Sequence, residues 1–409
     1  MRSYGGIWER IVSPENLRSA WKGVRAGRAR SPKVMEFAEG VEGRLEELGR
    51  ELREGTYRPG AYGNFMVMDP KPRMISVAPV RDRVVHHALC DVIAPLIERR
   101  FIARTYACRE GKGMHLACRE VREELGRHAY FLKLDVRHYF PSIDHERLLA
   151  LVQPMFRERE VRALVETIVR SPAGGGAGGR GIPIGNLTSQ WFANLYLDGL
   201  DHYVAEELGA GRGYFRYMDD LLVLCGGRDE ARRSHALIAA WLRENRRLEL
   251  KERATVMGPV TEGVPFLGLR IWRHAWRMKR TRFLRVRRLA ANKMEALRRG
   301  EIGEASAANA FASYSGWLEW FGFANVLKGI SATEEELRAG ASRSAAAAGT
   351  TNRTTSAPRT GTATGRPRTR TTTWASASRS IAPMGGIQFR TAGALRGTRG
   401  RTCPVRGGE

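Results

Sequence analysis

The sequence predicts an α+β fold that ends in a long tail with no core of its own, and three observations lead there. Helical and strand patterns alternate irregularly along the first three quarters of the chain, without the regular strand–helix repeat of a βαβ series. Hydrophobic residues make up 43% of the 409, enough to build a packed interior. From about Ala341 the composition turns to Thr, Arg, Ala, Gly and Ser. With so few large apolar side chains, that segment cannot bury enough surface to offset its ordering entropy, and it is expected to be disordered.

Taken in order, residues 1–56 read as a helical extension. The run Val41-Glu-Gly-Arg-Leu-Glu-Glu-Leu-Gly-Arg-Glu-Leu-Arg repeats Leu every third or fourth position, which lays an apolar stripe along one helix face. Tyr57-Arg-Pro-Gly breaks that pattern, residues 64–68 read as a short strand, and Asp69-Pro-Lys-Pro-Arg is a rigid turn before a strand over 74–78. Residues 83–99 look helical, 130–135 form a strand, and a helix over 143–155 starts near Ser142 or Asp144. A glycine-rich loop spans 171–180. One long helix is expected over 186–208, then a strand–turn–strand unit over 213–224 carrying Tyr217-Met-Asp-Asp. After Gly268 the chain becomes basic and helical, and Tyr314-Ser-Gly-Trp-Leu-Glu-Trp-Phe closes the folded part.

Charge narrows the partners. A formal net charge of +25, mostly from Arg, repels itself unless a polyanion binds it. Nucleic acid is the first candidate, because phosphate contacts dominate its binding and Arg grips phosphate with two parallel bonds. A membrane surface is the second. Residues 1–30 are polar and basic and no long apolar run follows, so a soluble, cytoplasmic protein with no membrane partner is expected. The five cysteines are odd in number and scattered, with no CxxC pair, which argues against a zinc ribbon or disulfide framework and for reduced thiols.

Two acidic sites stand where a carboxylate is locally costly. Asp135 ends an apolar run, and Asp219-Asp220 lie between Tyr214-Phe-Arg-Tyr-Met and Leu221-Leu-Val-Leu. Adjacent carboxylates between apolar strands repel each other and resist burial, and a bound cation resolves both costs. Mg²⁺ takes oxygen ligands, commonly one or two carboxylates plus substrate phosphates. Two such ions about 3.5–4 Å apart serve phosphoryl transfer by activating the attacking oxygen and steadying the leaving one. Singly, an Asp-Asp pair also fits a solvated turn and a strand-end Asp also fits a helix cap; their order and context together favour the metal reading.

These residues resemble a known family. Leu132-Lys-Leu-Asp-Val-Arg-His-Tyr-Phe-Pro-Ser-Ile-Asp resembles the first palm motif of reverse transcriptases, Gly181-Ile-Pro-Ile-Gly-Asn-Leu-Thr-Ser-Gln the second, and Tyr214-Phe-Arg-Tyr-Met-Asp-Asp-Leu-Leu-Val-Leu the third. Val264-Pro-Phe-Leu-Gly resembles the element that follows the palm. Arg81-Asp-Arg-Val-Val-His-His-Ala-Leu and Thr105-Tyr-Ala-Cys-Arg-Glu-Gly-Lys-Gly are similar to the upstream finger motifs. The resemblance implies a right-hand polymerase: fingers and palm over 57–275, a helical thumb over 276–335, and the tail from 336. It further implies that Asp135 and Asp219 hold two Mg²⁺ ions, with Asp220 beside them and the Val136 carbonyl completing one site. Phe140, five residues after Asp135, matches the aromatic that excludes a 2′-hydroxyl. Tyr217 would lie by the primer end, Lys71, Arg73 and Arg81 are candidates for the triphosphate, and Arg280, Arg282 and Arg285 for the template–primer duplex. One departure concerns the proton donor: where the family often has Lys-Thr, this chain has Lys251-Glu-Arg-Ala-Thr, leaving Lys251, Arg253 or no side chain in that role.

Within the family, Ile184-Gly-Asn-Leu-Thr-Ser-Gln190 resembles the reverse transcriptases of diversity-generating retroelements more than the intron-encoded ones, which often begin this motif with Gln-Gly. That likeness implies copying with errors at template adenines, a fidelity role for Gln190 against the templating pair, and a small basic helical accessory variability protein as partner. Intron maturases and defence enzymes are the alternatives, with a non-catalytic RNA-binding protein beyond them. The tail adds a separate reading. Codons for Thr371-Thr-Thr-Trp-Ala-Ser-Ala, read one base back, admit an Asn-rich segment ahead of Gly-Phe-Arg, as if the frame ran into a template repeat; a basic RNA-binding tail is the rival.

Overall fold

The computed structural model describes residues 3–68, 72–171 and 178–303, and these form an α+β architecture. They divide into two compact units. One holds the described residues up to Leu267 together with Ile271–His274, and the other holds Gly268–Arg270 and the described residues from Ala275 on.

The first unit begins with helices α1 (Trp8–Ile11), α2 (Pro14–Arg25), α3 (Pro32–Ala38) and α4 (Val41–Glu54). Ser13 starts α2, its hydroxyl accepting the Asn16 N–H at 3.2 Å, with Pro14 at the first helical position where no N–H is needed. The buried stripe Leu17, Ala20, Trp21 and Val24 packs against α5 (Val80–Glu98), and Leu45, Leu48 and Leu52 of α4 join the same core. The N-terminal helices thus share their interior with the rest of the unit. Helix α5 is buried around most of its girth, which marks it as a central helix. Ahead of it, β1 (Gly63–Val67) and β2 (Arg73–Val77) form an antiparallel hairpin with Phe65 opposite Ile75 and Met66 opposite Met74. Residues 69–71 of the expected turn, Lys71 among them, lie outside the described residues, as do most of the glycine-rich loop, the expected thumb from residue 304 with its aromatic segment over 314–321, and the tail.

After α6 (Met114–Glu124) come β3 (Tyr130–Asp135), α7 (Tyr139–Ser142), α8 (His145–Val152) and α9 (Arg159–Val169). Asp144 is the start of α8, its carboxylate accepting the Arg147 N–H at 3.1 Å; it is one of the two starts the sequence offers. The expected helix over 186–208 is broken. It runs as α10 (Leu187–Tyr196), α11 (Asp198–His202) and a π-helical turn over Tyr203–Glu207, leaving helical geometry at Leu197. Asp198 and Asp201 are buried there in ion pairs with Arg100 and Arg216, tertiary bonds strong enough to override the continuous helical pattern.

The strands β4 (Tyr214–Tyr217) and β5 (Asp220–Cys225), helix α12 (Arg228–Arg246) and strands β6 (Val256–Pro259) and β7 (Val264–Phe266) complete this unit. The central sheet is antiparallel, in the order β4-β5-β3-β6. Because strand side chains alternate, Leu132, Leu134, Leu221, Val223 and Tyr214 face the helical core, and Lys133, Asp135, Asp220 and Tyr217 share the opposite face. The second unit carries β9 (Trp276–Met278) and α13 (Arg280–Arg298), reached through β8 (Leu269–Ile271). Helix α13 buries Val286, Ala290 and Met294, a stripe at four-residue spacing. Gly268 has φ +84° and no room for a Cβ, because the Arg282 side chain occupies that space. Among the described residues, no helix is long and apolar enough to cross a membrane.

Candidate active site

The β3–β5 register runs from Tyr130 opposite Cys225 to Asp135 opposite Asp220, which makes those two acids cross-strand neighbours at one end of the sheet. Tyr217 pairs with Asp220 across β4–β5, so the connecting turn is only Met218-Asp219. Met218 takes φ +59°, the left-handed conformation that tight hairpins require and that usually selects Gly. The Val136 N–H donates to the Asp219 carbonyl at 3.3 Å, tying this turn to the end of β3. The sequence-predicted trio Asp135, Asp219 and Asp220 is therefore brought together by strand register.

The electrostatics follow from crowding. Burial, then the Asp135 charge, then Asp220, push the Asp219 carboxyl up to about 6, with a main-chain hydrogen bond and Arg73 pulling the other way. A carboxylate that resists ionisation beside two others is a place where a divalent cation lowers the energy. Among the described residues no three His, Cys, Asp or Glu side chains form a metal cage by themselves. Mg²⁺ keeps several sites for water and phosphate oxygens and takes one or two carboxylates from the protein. Asp135 and Asp219 fit that pattern. The bridge between Val136 and Leu250 closes through the Lys251 N–H on the Asp135 carbonyl (2.8 Å) and the Arg137 N–H on the Glu249 carbonyl (2.8 Å), so it leaves the Val136 carbonyl unused. The same bond holds Lys251 next to Asp135 in backbone position, while Arg253 is exposed on the following turn.

The other predicted residues distribute as follows. Arg73 ends up within the electrostatic reach of Asp219 from the start of β2. Arg81 is engaged elsewhere, ion-paired with Glu51 of α4 and 5.5 Å over the Tyr57 ring. Phe140 is half-buried on α7, edge-on to Tyr139 at 5.7 Å. Gln190 lies in the first turn of α10, where the Cys108 thiol donates to its Oε1 at 3.3 Å. The second motif is joined to the hairpin, since the Ser76 N–H donates to the Ile184 carbonyl at 3.2 Å and Asn186 donates to the Tyr62 hydroxyl at 2.8 Å. Arg280 is exposed, and Arg282 and Arg285 half-buried, on α13 of the second unit.

One set of residues escaped the sequence reading. Arg216, fully buried on the core face of β4, forms a bidentate ion pair with the fully buried Asp201 of α11. Burial alone would weaken its charge, but Asp201 outweighs that and holds the guanidinium above its ordinary value. The available signal was an arginine inside the otherwise apolar strand Tyr214-Phe-Arg-Tyr; its partner 15 residues earlier carried none.

Comparison with known proteins identifies a family for this span of the chain. Residues 68–271 match the family model described as reverse transcriptase (RNA-dependent DNA polymerase). The group II intron-encoded protein LtrA of Lactococcus lactis subsp. cremoris is 21% identical over 212 residues, which is 49% of this chain and 35% of that protein. Protein YkfC of Escherichia coli (strain K12) is 24% identical over 285 residues, 59% of this chain and 74% of that protein. Among solved structures, telomerase from Candida albicans superposes with a TM-score of 0.42 at 10% identity, covering 60% of this chain and 52% of that one. The matched segment of this chain spans about a third of LtrA. Through residues 68–271, with the three aspartates assembled inside that span, the chain belongs to the reverse transcriptase family.

Proposed function

We propose that this protein is an RNA-directed DNA polymerase that extends a DNA or RNA primer on an RNA template with deoxynucleoside triphosphates. The observation that carries the reading is the cross-strand pairing of Asp135 with Asp220, with Asp219 on the adjoining two-residue turn. In that reading the first unit supplies fingers and palm of a right hand and α13 begins the thumb. Asp135, Asp219 and the Val136 carbonyl would hold two Mg²⁺ ions, with Asp220 beside them. Bound there, the ions would activate the attacking oxygen and stabilise the leaving one. The primer 3′-hydroxyl attacks the α-phosphorus and pyrophosphate leaves. Arg73, with Lys71 two residues before it in sequence, neutralises the triphosphate, a role suited to cations. Tyr217 supports the primer end, and Arg280, Arg282 and Arg285 grip the duplex backbone.

Within this activity the favoured subclass is the adenine-mutagenic enzyme of a diversity-generating retroelement, working with a small basic helical accessory protein. The Ile184-Gly-Asn-Leu-Thr-Ser-Gln190 form of the second motif supports it, with Gln190 at the head of α10. An intron-type reverse transcriptase is the second reading, favoured by the likeness to LtrA, which is itself encoded in a group II intron. Primer extension on an RNA template with Mg²⁺ and deoxynucleotides, wild type against Asp219→Ala, with and without the accessory protein, tests both levels. Metal-dependent cDNA with errors concentrated at template adenines supports the full reading. Accurate cDNA keeps the polymerase and favours the intron type; no cDNA from any template returns the protein to a non-catalytic RNA binder.

A further inference from the structure

The guanidinium of Arg216 has five N–H groups, and five acceptors meet them. Nε donates to Asp201 Oδ1 at 2.6 Å and Nη2 to Asp201 Oδ2 at 2.5 Å. Nη2 also donates to the Asn194 carbonyl at 3.1 Å, and Nη1 to Asn194 Oδ1 at 3.0 Å. The fifth bond runs from Nη1 to the Met218 carbonyl at 3.2 Å, the peptide that leads directly into Asp219. Asp201 is equally committed. It accepts the Tyr214 hydroxyl at 2.7 Å and the Thr105 hydroxyl at 3.0 Å besides the two bonds from Arg216. Asn194 in turn donates to the Ala107 carbonyl at 2.7 Å. Four of the five donors thus anchor the guanidinium to the helical layer, and the fifth reaches through β4 to the metal-facing turn.

Such a network is a poor investment if stability were its only purpose, because a buried ion pair often contributes no more than well-packed hydrocarbon of the same volume. The turn, by contrast, needs an external hold. Met218 sits at φ +59° without being Gly, and the carboxylate it presents faces two others that repel it. We infer that Arg216 is a positioning residue: clamped by Asp201 and Asn194, it fixes the Met218 carbonyl and so sets the direction in which Asp219 meets the metal. The inference rests on the polymerase reading above. It predicts that this layer, buried on the core face of the sheet, governs metal affinity and turnover while leaving nucleotide recognition alone.

The test uses the full-length chain and two readouts: Mn²⁺ binding by electron paramagnetic resonance without nucleotide, and steady-state primer extension. Arg216→Lys keeps the charge but cannot reproduce the planar five-donor fork. It is expected to weaken Mn²⁺ binding by about 10- to 100-fold, the usual scale for partners that orient metal ligands. It should also lower kcat by about 100-fold with the KM for deoxynucleotide nearly unchanged. The combined variant Thr105→Val/Asp201→Leu/Tyr214→Phe/Arg216→Met replaces the pair with hydrocarbon and removes both hydroxyls that would lose their acceptor, preserving a folded protein. It should show the same losses at an unchanged or higher Tm. Wild-type Mn²⁺ affinity and kcat in that folded variant would overturn the clamp. A wild type that makes no cDNA would overturn the polymerase reading instead, and the Mn²⁺ comparison would still decide the clamp.

Discussion

The Lys133 ammonium lies 3.1 Å from Oδ1 of Asp220, with the two side chains only 12% and 25% exposed. Strand geometry explains the meeting. Lys133 and Asp135 are two residues apart on one face of β3, and Asp220 stands opposite Asp135, so Lys133 reaches Asp220 along the diagonal of the sheet. The two adjacent aspartates therefore live in different fields. Asp220 has a fixed cation at hand, while burial and its acidic neighbours make Asp219 hold its proton unusually tightly.

That difference predicts unequal mutants. Asp219→Asn removes the carboxylate that most needs a metal and is expected to abolish extension. Asp220→Asn removes one that a lysine already neutralises, and should cost about tenfold in kcat, the equivalent of roughly 1.4 kcal/mol. Lys133→Met removes this cation from Asp220 and should lower Tm in the absence of metal, while lowering the Mg²⁺ concentration needed for half-maximal rate because the site becomes more negative. Steady-state kinetics across a Mg²⁺ titration would check this, and equal losses in the two Asp variants would count against the division of labour.

Gly185 links the second motif to the β-hairpin, and its lack of a side chain is what permits the contact. It sits at φ +125°, and a Cβ there would lie 3.1 Å from the Ser76 carbonyl. Gly185→Ala should cost about 1–3 kcal/mol from the strained backbone alone. It should also push the hairpin that carries Arg73 outward, so that the KM for deoxynucleotide rises. Gly213→Ala is the control for strain without the site: its Cβ would meet the Leu224 carbonyl at 2.5 Å inside the β4–β5 pair. It is expected to lower Tm at least as much while the folded fraction keeps its KM. Thermal melts and deoxynucleotide titrations separate the two.

The neighbouring histidines on α5 predict a pH dependence of stability. Burial, reinforced by nearby positive charge, lowers His86 to about 3 and His87 to about 4. The unfolded chain takes up a proton on each near pH 6.5, and the folded chain refuses it until the pH is far lower. Stability is therefore full above about pH 6.5 and is lost as pH falls toward 4, by an amount on the order of several kcal/mol if both sites contribute. Among the described residues, neither ring nitrogen of His86 finds a hydrogen-bond partner. His86→Leu should flatten the acid side of the Tm-against-pH curve and raise Tm at neutral pH, since it removes unpaired polar atoms from the core. A lower Tm at neutral pH would mean that the ring's shape, not its polarity, is what the core uses.

Much of the site was legible because its chemistry is local. Asp135 at the end of an apolar run and Asp219-Asp220 between two more are one-dimensional signals, and the antiparallel register then had to bring them together. The Asp144 start of α8 and the Met218-Asp219 turn are local for the same reason. Longer-range features were not readable. The break at Leu197 answers to ion pairs with Arg100 and Arg216, neither of which is adjacent in sequence. Arg81 stood in a basic cluster with no sign that Glu51, 30 residues earlier, would engage it. Charged residues reveal their presence in a sequence, but not their partners.

Phe140 offers the sharpest test of deoxynucleotide selection. His138 takes φ +45° just ahead of α7, and the turn sends Tyr139 inward, where its hydroxyl donates to the Ala193 carbonyl, and leaves Phe140 half-exposed. The Phe140 carbonyl accepts the Ile182 N–H at 3.1 Å, so the ring's backbone is fixed to the second motif. A ring held at both ends and five residues from Asp135 is rigid enough to discriminate by shape. Phe140→Ala should then raise the kcat/KM for ATP relative to dATP by about 10- to 200-fold, the range a hydrophobic contact can provide. Because the ring is only half-buried, the cost in stability should be small beside the full penalty of about 3–5 kcal/mol for a core Phe. Competition between the two nucleotides on one template measures the ratio directly. An unchanged ratio with a large fall in Tm would assign the ring to packing against Tyr139 and leave the exclusion of the 2′-hydroxyl to another group.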